Sequence, residues 1–139
     1  MDFLIDTNII SELARKAPDA GVVKFMHETP RLLVSTILFH ELSFGLEIAP
    51  QDQKLRLTAF LAAMRDRFGA RAIPVTLEIA ETAGRLRAYE KTAGRILTVS
   101  DSMMAATATV KSASLVTRNV KDFEKLELVI VNPFFSDQR

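Results

Sequence analysis

Short apolar segments alternate along this chain with stretches of helical spacing, and this alternation limits the possible folds more than any other feature. Strands are predicted at 3–5, 32–35, 72–75, 114–117 and 128–131. Alternating strands and helices are typical of a parallel sheet. The sequence therefore predicts an α/β fold, with a central parallel sheet of about five short strands and helices on both faces.

Most of the remaining chain is predicted to be helical. Leu57, Phe60, Leu61, Met64 and Phe68 follow the spacing of one apolar helical face, and Gly69 follows where a helix stop is expected. Further helices are predicted after Asp6 and at 18–28, 39–48, 76–92 and 100–111, with a short one at 122–125.

The composition narrows the class of protein. With 139 residues, of which 48% are hydrophobic, residues 1–139 are expected to form a single domain. The longest apolar runs are far shorter than the roughly 20 residues that cross a bilayer, and the first residues lack a signal-peptide pattern, so a cytoplasmic protein is expected. The chain has no cysteine, which excludes disulfides, thiolate zinc sites and cysteine nucleophiles.

The charge balance indicates how nucleic acid would be held. The formal net charge is only +1, so any nucleic-acid contact must come from local basic patches. One such patch is predicted on the helix at 76–92 and its end, and a second follows the strand at 114–117; a solvated basic face is the alternative for both. The cations concerned are Arg85, Arg87, Lys91 and Arg95, and then Arg118 and Lys121.

Four acids lie where an active site would open in such a sheet, because ligands of open α/β sheets gather at the carboxyl ends of the strands. Asp6 directly follows the first strand, Glu41 lies beside an apolar helical face, Asp101 begins a helix and Asp122 follows the fourth strand. Helix capping would also explain Asp6, Asp101 and Asp122, and an ion pair or a solvated edge position would explain Glu41.

A cluster of these acids would repel itself unless a divalent cation neutralised it. Hard oxygen ligands without cysteine or paired histidines favour Mg²⁺ or Mn²⁺. Such a metal can activate a water for in-line attack on a phosphodiester. The acids therefore indicate metal-assisted hydrolysis.

Four segments resemble the sequence blocks of PIN-domain nucleases, specifically the branch of VapC-like toxins. They are FLIDTNIISEL at 3–13, HELSFG at 40–45, DSMMAATA at 101–108 and LVTRNVKDF at 115–123, with VNPF closing the pattern at 131–134. Their order and spacing span nearly the whole chain. The resemblance implies a single PIN-like domain.

The resemblance also implies roles for individual residues. Asp6, Glu41 and Asp101 would be catalytic acids that bind the metal, with Asp6 and Asp101 as its principal ligands. Thr7 and Asn8 would hold Asp6 and line the site.

The fourth block leaves an alternative open. Asp122 would be a fourth catalytic acid, but some family members carry an acid at the position of Asn119, so either residue can be the one that reaches the metal. Thr117 and Asn119 would support the site.

Activity and partners follow from the same resemblance. VapC-like toxins are Mg²⁺- or Mn²⁺-dependent endoribonucleases that cut structured RNA such as tRNA, inhibit translation and growth, form homodimers, and are neutralised by a VapB-like antitoxin in heterotetramers or larger complexes. Apolar residues around Glu41 would form a dimer or antitoxin groove, unless that helix is buried all round; they are Phe39, Phe44, Leu46 and Ile48.

Two alternatives belong to other functional classes. A PIN-like domain without catalysis would act as a binding module. A receiver-like phosphoacceptor domain shares the size and an acidic Mg²⁺ pocket, but it normally has adjacent acids after the first strand and a lysine after the last. Here Thr7 and Asn8 follow Asp6, and Asn132 and Pro133 follow the last strand.

Overall fold

A computed structural model describes residues 1–138 and contains the central β-sheet. Within these residues the sheet has four parallel strands in the order β2-β1-β3-β4. The strands are β1 (Phe3–Ile5), β2 (Leu32–Leu33), β3 (Ser114–Val116) and β4 (Ile130–Val131).

Seven α-helices connect these strands within residues 1–138. They are α1 (Thr7–Leu13), α2 (Ala20–Glu28), α3 (Thr36–Ile48), α4 (Gln51–Phe68), α5 (Leu77–Thr92), α6 (Val99–Val110) and α7 (Val120–Phe123). Each predicted helix is present, but the short one predicted at 122–125 lies two residues earlier, at Val120–Phe123. In the part of the chain that is described, no helix is both long and apolar enough to span a bilayer.

Alternate residues of the two central strands pack into different cores, because successive side chains of a strand point to opposite faces. Ile5 and Val116 pack against α1 to α4, whereas Leu4 and Leu115 pack against α6 and α7. The predicted α/β fold with helices on both faces is therefore confirmed.

The predicted fifth strand, at 72–75, is reduced to a single parallel bridge between Ser35 and Ile73. The Ile73 N–H donates to the Val34 carbonyl at 2.8 Å, and the Ile73 carbonyl accepts from Thr36 N–H at 3.0 Å. The ladder ends there because Ser35 caps α3, so the backbone of the neighbouring segment turns into a helix. Ala72, Ile73 and Val75 are half-buried beside the sheet and Pro74 is exposed, and the segment forms this one bridge instead of an extended strand.

The central pair of strands creates a crevice at one edge of the sheet. From β1 the chain proceeds to β2 on one side, and from β3 it proceeds to β4 on the other. This reversal makes the carboxyl ends of β1 and β3 a topological switch point, where open α/β sheets bind ligands.

Candidate active site

Asp6 lies at the carboxyl end of β1, caps α1, and is only 6% exposed. Its Oδ1 accepts a hydrogen bond from the Thr7 N–H at 2.8 Å, and its Oδ2 accepts from the Thr117 hydroxyl at 2.8 Å and from Asn8 Nδ2 at 3.2 Å. The strand register explains the second contact. Because Ile5 pairs with Val116, the next residues of the two strands, Asp6 and Thr117, lie side by side.

Asn8 and Thr117 also bind each other and the loop after β3. Asn8 Nδ2 donates to the Thr117 hydroxyl oxygen at 3.1 Å, and Asn8 Oδ1 accepts from the Arg118 N–H at 3.1 Å. The Thr117 hydroxyl oxygen accepts in turn from the Asn119 N–H at 3.1 Å. The side chains of Asn8 and Thr117 thus join the start of α1 to the end of β3 around Asp6.

Glu41 comes to the crevice from the second turn of α3. The Thr7 hydroxyl donates to its Oε1 at 2.6 Å, so Thr7 orients Asp6 through its backbone and Glu41 through its side chain. The Glu41 side chain is half-buried. The ion-pair alternative for Glu41 is wrong, since no Lys or Arg forms an ion pair with it within residues 1–138.

Asp101 reaches the same crevice from the first turn of α6. Thr98 caps this helix and accepts a hydrogen bond from the Asp101 N–H at 3.1 Å. Thr98 therefore provides the cap itself, and the half-buried Asp101 carboxylate is available to face the crevice.

These side chains line one cavity of about 390 Å³. Three of the four predicted acids, Asp6, Glu41 and Asp101, are among its lining residues. Asn119 lines it as well, whereas Asp122 is exposed on α7 and lies outside the lining. The complete lining is Asp6, Thr7, Asn8, Ser11, Glu12, Arg15, Glu41, Asp101 and Asn119.

Sequence reasoning missed Glu12 as part of this wall. Glu12 is 6% exposed, pairs with Arg15 at 3.2 Å, and accepts a hydrogen bond from the Asp19 N–H at 2.8 Å. Its helical spacing was an available signal, because Glu12 lies four residues after Asn8 and hence on the same face of α1.

Burial makes the crevice unfavourable for negative charge. It raises the pKa of Asp6 to about 6, against opposing hydrogen bonds from Thr117 and Thr7, and the charges of Asp101 and Glu41 raise it further. Burial also raises the pKa of Asp101, against a hydrogen bond from Thr98, and the charges of Asp122 and Glu41 add to the effect. Asp122 is therefore close enough to influence Asp101 electrostatically.

The donor set fits a hydrated Mg²⁺ or Mn²⁺ ion. Within residues 1–138, no Lys or Arg forms an ion pair with Asp6, Glu41 or Asp101. In the same residues no three His, Cys, Asp or Glu side chains are arranged as a ready-made metal cage. Mg²⁺ needs no such cage, because it retains several waters and binds one or two carboxylates. Asp6 Oδ1, which accepts a single hydrogen bond, keeps a lone pair for this purpose.

The predicted RNA-binding cations differ in their surroundings. Arg87 and Lys91 are exposed on α5, and Lys121 is exposed on α7. Arg118 instead forms two hydrogen bonds with the Asp137 carboxylate, at 3.0 and 3.2 Å, and stacks over the Phe134 ring at 4.2 Å. In this arrangement the Arg118 charge is neutralised from within the protein.

The apolar residues of α3 are not buried all round. Phe44 is 62% exposed and Ile48 is 67% exposed, while Phe39 and Leu46 are half-buried. Of the two alternatives for this helix, the structure excludes the fully buried one and leaves an apolar surface.

Comparison with known proteins gives consistent matches over the whole fold. The family model of the PIN domain matches residues 3–128. The chain is 33% identical to the VapC ribonuclease Y4jK of Sinorhizobium fredii, over 94% of this chain and 96% of that protein.

Two solved structures share the fold. The crystal structure of FitAcB from Neisseria gonorrhoeae superposes with a TM-score of 0.85 at 29% identity, covering 94% of this chain and 97% of that one. A toxin-antitoxin complex from Klebsiella pneumoniae gives a TM-score of 0.70 at 27% identity, covering 96% and 98%. None of these matches supports the receiver-like alternative. The crevice geometry, the family match to residues 3–128 and the related sequence together show that the chain belongs to the PIN-domain family, in the group that includes the VapC ribonucleases.

Proposed function

We propose that this protein is a Mg²⁺- or Mn²⁺-dependent endoribonuclease and the toxin of a toxin-antitoxin pair. The observation that carries the proposal is the crevice at the switch point, where Asp6, Glu41 and Asp101 share one cavity and form no ion pair among residues 1–138. Arg15 also lines this cavity, but it pairs with Glu12. Neighbouring acids in a partly buried crevice that form no ion pair are typical of a site completed by a metal ion.

Asp6 and Asp101 are the proposed metal ligands. Three donors, the Thr7 N–H, the Thr117 hydroxyl and Asn8 Nδ2, fix the orientation of Asp6 before any ligand arrives. When bound, the metal would polarise the phosphodiester and lower the pKa of the attacking water. The protein thus contributes preorganised oxygen ligands in a partly desolvated crevice.

Glu41 is the proposed acceptor for the proton of the attacking water. Its Oε1 is held by the Thr7 hydroxyl at 2.6 Å, and its Oε2 has no hydrogen-bond partner in the described part of the chain. One oxygen therefore fixes the carboxylate while the other can take a proton. Asn119 lines the same cavity and would orient water or substrate, and Asp122 would act on Asp101 through its charge.

The proposed substrate is structured RNA, with tRNA as the leading case, and the proposed effect is inhibition of translation and growth. The related protein from Sinorhizobium fredii is named a VapC ribonuclease. A cytoplasmic location is part of the proposal, because the proposed substrate, tRNA, is found in the cytoplasm.

The proposed regulator is a VapB-like antitoxin that forms a heterotetramer or a larger assembly with a toxin homodimer. The related Klebsiella pneumoniae structure is described as a toxin-antitoxin complex. An apolar groove between α1, α3 and α4 shares Ser11 and Glu41 with the acidic cavity, so a segment bound in that groove would reach the acids. The exposed Phe44 and Ile48 offer further contact area.

Cleavage of purified tRNA tests this function directly. The antitoxin-free protein is incubated with tRNA in Mg²⁺, in Mn²⁺ and in EDTA, and cut sites are mapped by primer extension. We expect discrete cuts that require metal and that disappear in Asp6→Asn and Asp101→Asn. Asp66→Asn, an exposed acid-to-amide change on α4, is the matched control and should cut like the parent.

Absence of cutting under every metal condition would favour the inactive binding-module alternative. Undiminished cutting by folded Asp6→Asn would show that the site is misassigned. Comparison of Asn119→Ala with Asp122→Ala assigns the fourth position, because only the residue that acts in the reaction should lower kcat strongly.

A further inference from the structure

A second cavity, of about 400 Å³, lies along α5 and the turn that follows it. Three of its lining residues are cations, and no carboxylate is among them. Its lining is Gly84, Arg87, Ala88, Lys91, Arg95, Ile96 and Leu97. It shares no residue with the acidic cavity. We call it the α5 trough.

One of the three cations already has a partner. Arg95 donates to the Glu90 carboxylate through Nε at 2.7 Å and Nη2 at 2.9 Å, and Glu90 is only 3% exposed. The Glu90 carboxylate thus holds Arg95 in place at the side of the trough and compensates its charge. Arg87 and Lys91, by contrast, form no ion pair within residues 1–138. The α5 trough therefore carries two uncompensated positive charges, which favour an anionic ligand.

The arrangement of the two charges favours an extended anion over a point anion. Arg87 and Lys91 are four residues apart, so they project from the same face of α5 about 6 Å apart along its axis. Like charges at this spacing repel, and an anion that bridges them relieves the repulsion. At Gly84, one turn earlier on the same face, an added Cβ would meet nothing within 4 Å, so that end of the trough is open. Two successive phosphates of a nucleic-acid strand fit this geometry.

The α5 trough is joined to the catalytic crevice through the start of α6. Arg87 Nε donates to the Leu97 carbonyl at 3.4 Å, and Leu97 lies four residues before Asp101. Four residues of chain span at most about 14 Å, so the trough flanks the acids at a distance of a few nucleotides.

The charge distribution makes such a flanking contact necessary. The catalytic cavity is lined by acids that repel phosphate until a metal binds, and the net charge of +1 provides no general attraction. The nearby Arg15 and Arg118 are engaged by Glu12 and Asp137. Cations that have no internal partner, such as Arg87 and Lys91, are therefore expected to add affinity for RNA outside the metal site.

We propose that the α5 trough is a phosphate-binding subsite, in which Arg87 and Lys91 hold two backbone phosphates of the RNA strand a few nucleotides from the scissile bond. The inference rests on the proposed ribonuclease function, and it identifies where the substrate is gripped outside the catalytic crevice.

The test is the salt dependence of RNA binding, measured in EDTA so that binding is observed without cleavage. Fluorescence anisotropy of a labelled single-stranded RNA oligonucleotide gives the Kd of the full-length protein between 50 and 200 mM salt. The double variant Arg87→Gln/Lys91→Gln removes two phosphate contacts. The slope of log Kd against log salt concentration should therefore be smaller by about 1.4. The parent should therefore lose about sevenfold more affinity than the double variant over this fourfold range of salt.

Lys111→Gln is the matched control, because Lys111 is an exposed cation at the opposite end of α6 from Asp101. Both changes replace exposed side chains, and circular dichroism verifies folding. If the double variant has the parental salt dependence, the proposed subsite is overturned. The proposed ribonuclease function is still supported in that case, provided that the parent cuts RNA. An equal effect of Lys111→Gln would overturn it too, since the attraction would then be general. A parent that neither binds nor cuts RNA would refute the proposed function, and the subsite with it.

Discussion

Replacement of Asp6 by asparagine should abolish cleavage and yet stabilise the metal-free protein at alkaline pH. Burial raises the pKa of Asp6 to about 6, compared with an ordinary value of 3.8. That difference corresponds to about 3 kcal/mol of unfolding free energy. Between pH 3.8 and pH 6 the native state keeps the Asp6 proton, whereas the unfolded state releases it. The contribution of the protonated Asp6 to the free energy of unfolding is therefore complete at low pH. It is lost as the pH rises through about 6.

The hydrogen bonds of Asp6 oppose part of this gain. The carboxylate accepts bonds from three donors, and an asparagine NH₂ group must face at least one of them. One lost bond costs about 1 to 2 kcal/mol. The variant should therefore be more stable than the parent by about 1 to 2 kcal/mol at pH 8. About half of the 3 kcal/mol develops between pH 5 and pH 8, so the advantage of the variant should be about 1.5 kcal/mol smaller at pH 5.

Urea denaturation in EDTA, followed by circular dichroism, measures these differences. Asp101 is present in both proteins, so only the part of its contribution that depends on the Asp6 charge remains in the comparison. The difference in free energy of unfolding between Asp66→Asn and the parent should be the same at pH 5 and pH 8. An advantage of Asp6→Asn that stays constant between pH 5 and pH 8 would refute the burial argument. Added Mg²⁺ should stabilise the parent, since a ligand that binds only the native state raises its stability, and should leave Asp6→Asn unchanged.

Three further changes test other parts of the structure. Thr117→Val removes the hydroxyl that donates to Asp6 and lowers its pKa, so the acidic limb of the pH–rate profile for RNA cleavage should move to higher pH. Arg95→Ala leaves the buried Glu90 carboxylate without its two hydrogen bonds and should lower the free energy of unfolding in urea. Burial opposes ionisation of Asp19, but hydrogen bonds from backbone N–H groups of the C-terminal segment outweigh burial and lower the pKa of Asp19 to about 2. The stability that the ionised Asp19 provides is therefore present above pH 3.8 and is lost as the pH falls toward 2. Asp19→Asn should remove this acid dependence from the free energy of unfolding.

Matched variants separate these effects from nonspecific ones. Thr109→Val removes a hydroxyl on α6 that faces its own helix, and it should leave the pH–rate profile unmoved. Lys111→Ala removes an exposed charge and should change the free energy of unfolding far less than Arg95→Ala does. Asp66→Asn removes an exposed acid outside the first turn of α4 and should keep the parental acid midpoint. Parental stability of Arg95→Ala, or a parental acid midpoint for Asp19→Asn, would contradict the corresponding argument.

The sequence alone predicted the features that depend on local chain chemistry. The cap residues Asp6, Asp19 and Thr76 begin helices where the spacing of apolar residues predicts them. Short apolar runs identified all four strands. These signals are readable because capping and amphipathic spacing involve residues only a few positions apart. The strand predicted at 72–75 was wrong as an extended strand, since its pairing depends on where α3 begins.

The tertiary structure decided which side chains share the crevice. The contact between Thr7 and Glu41 spans 34 positions, and that between Asp6 and Thr117 spans 111. The register of β1 against β3 brings Asp6 and Thr117 together, and the packing of α1 against α3 brings Thr7 and Glu41 together. A local sequence pattern encodes neither arrangement. The same long-range packing lines the cavity with Asn119, not Asp122, and adds Glu12 to its wall. It also pairs Arg118 with Asp137 and leaves Arg87 and Lys91 without ion-pair partners in residues 1–138.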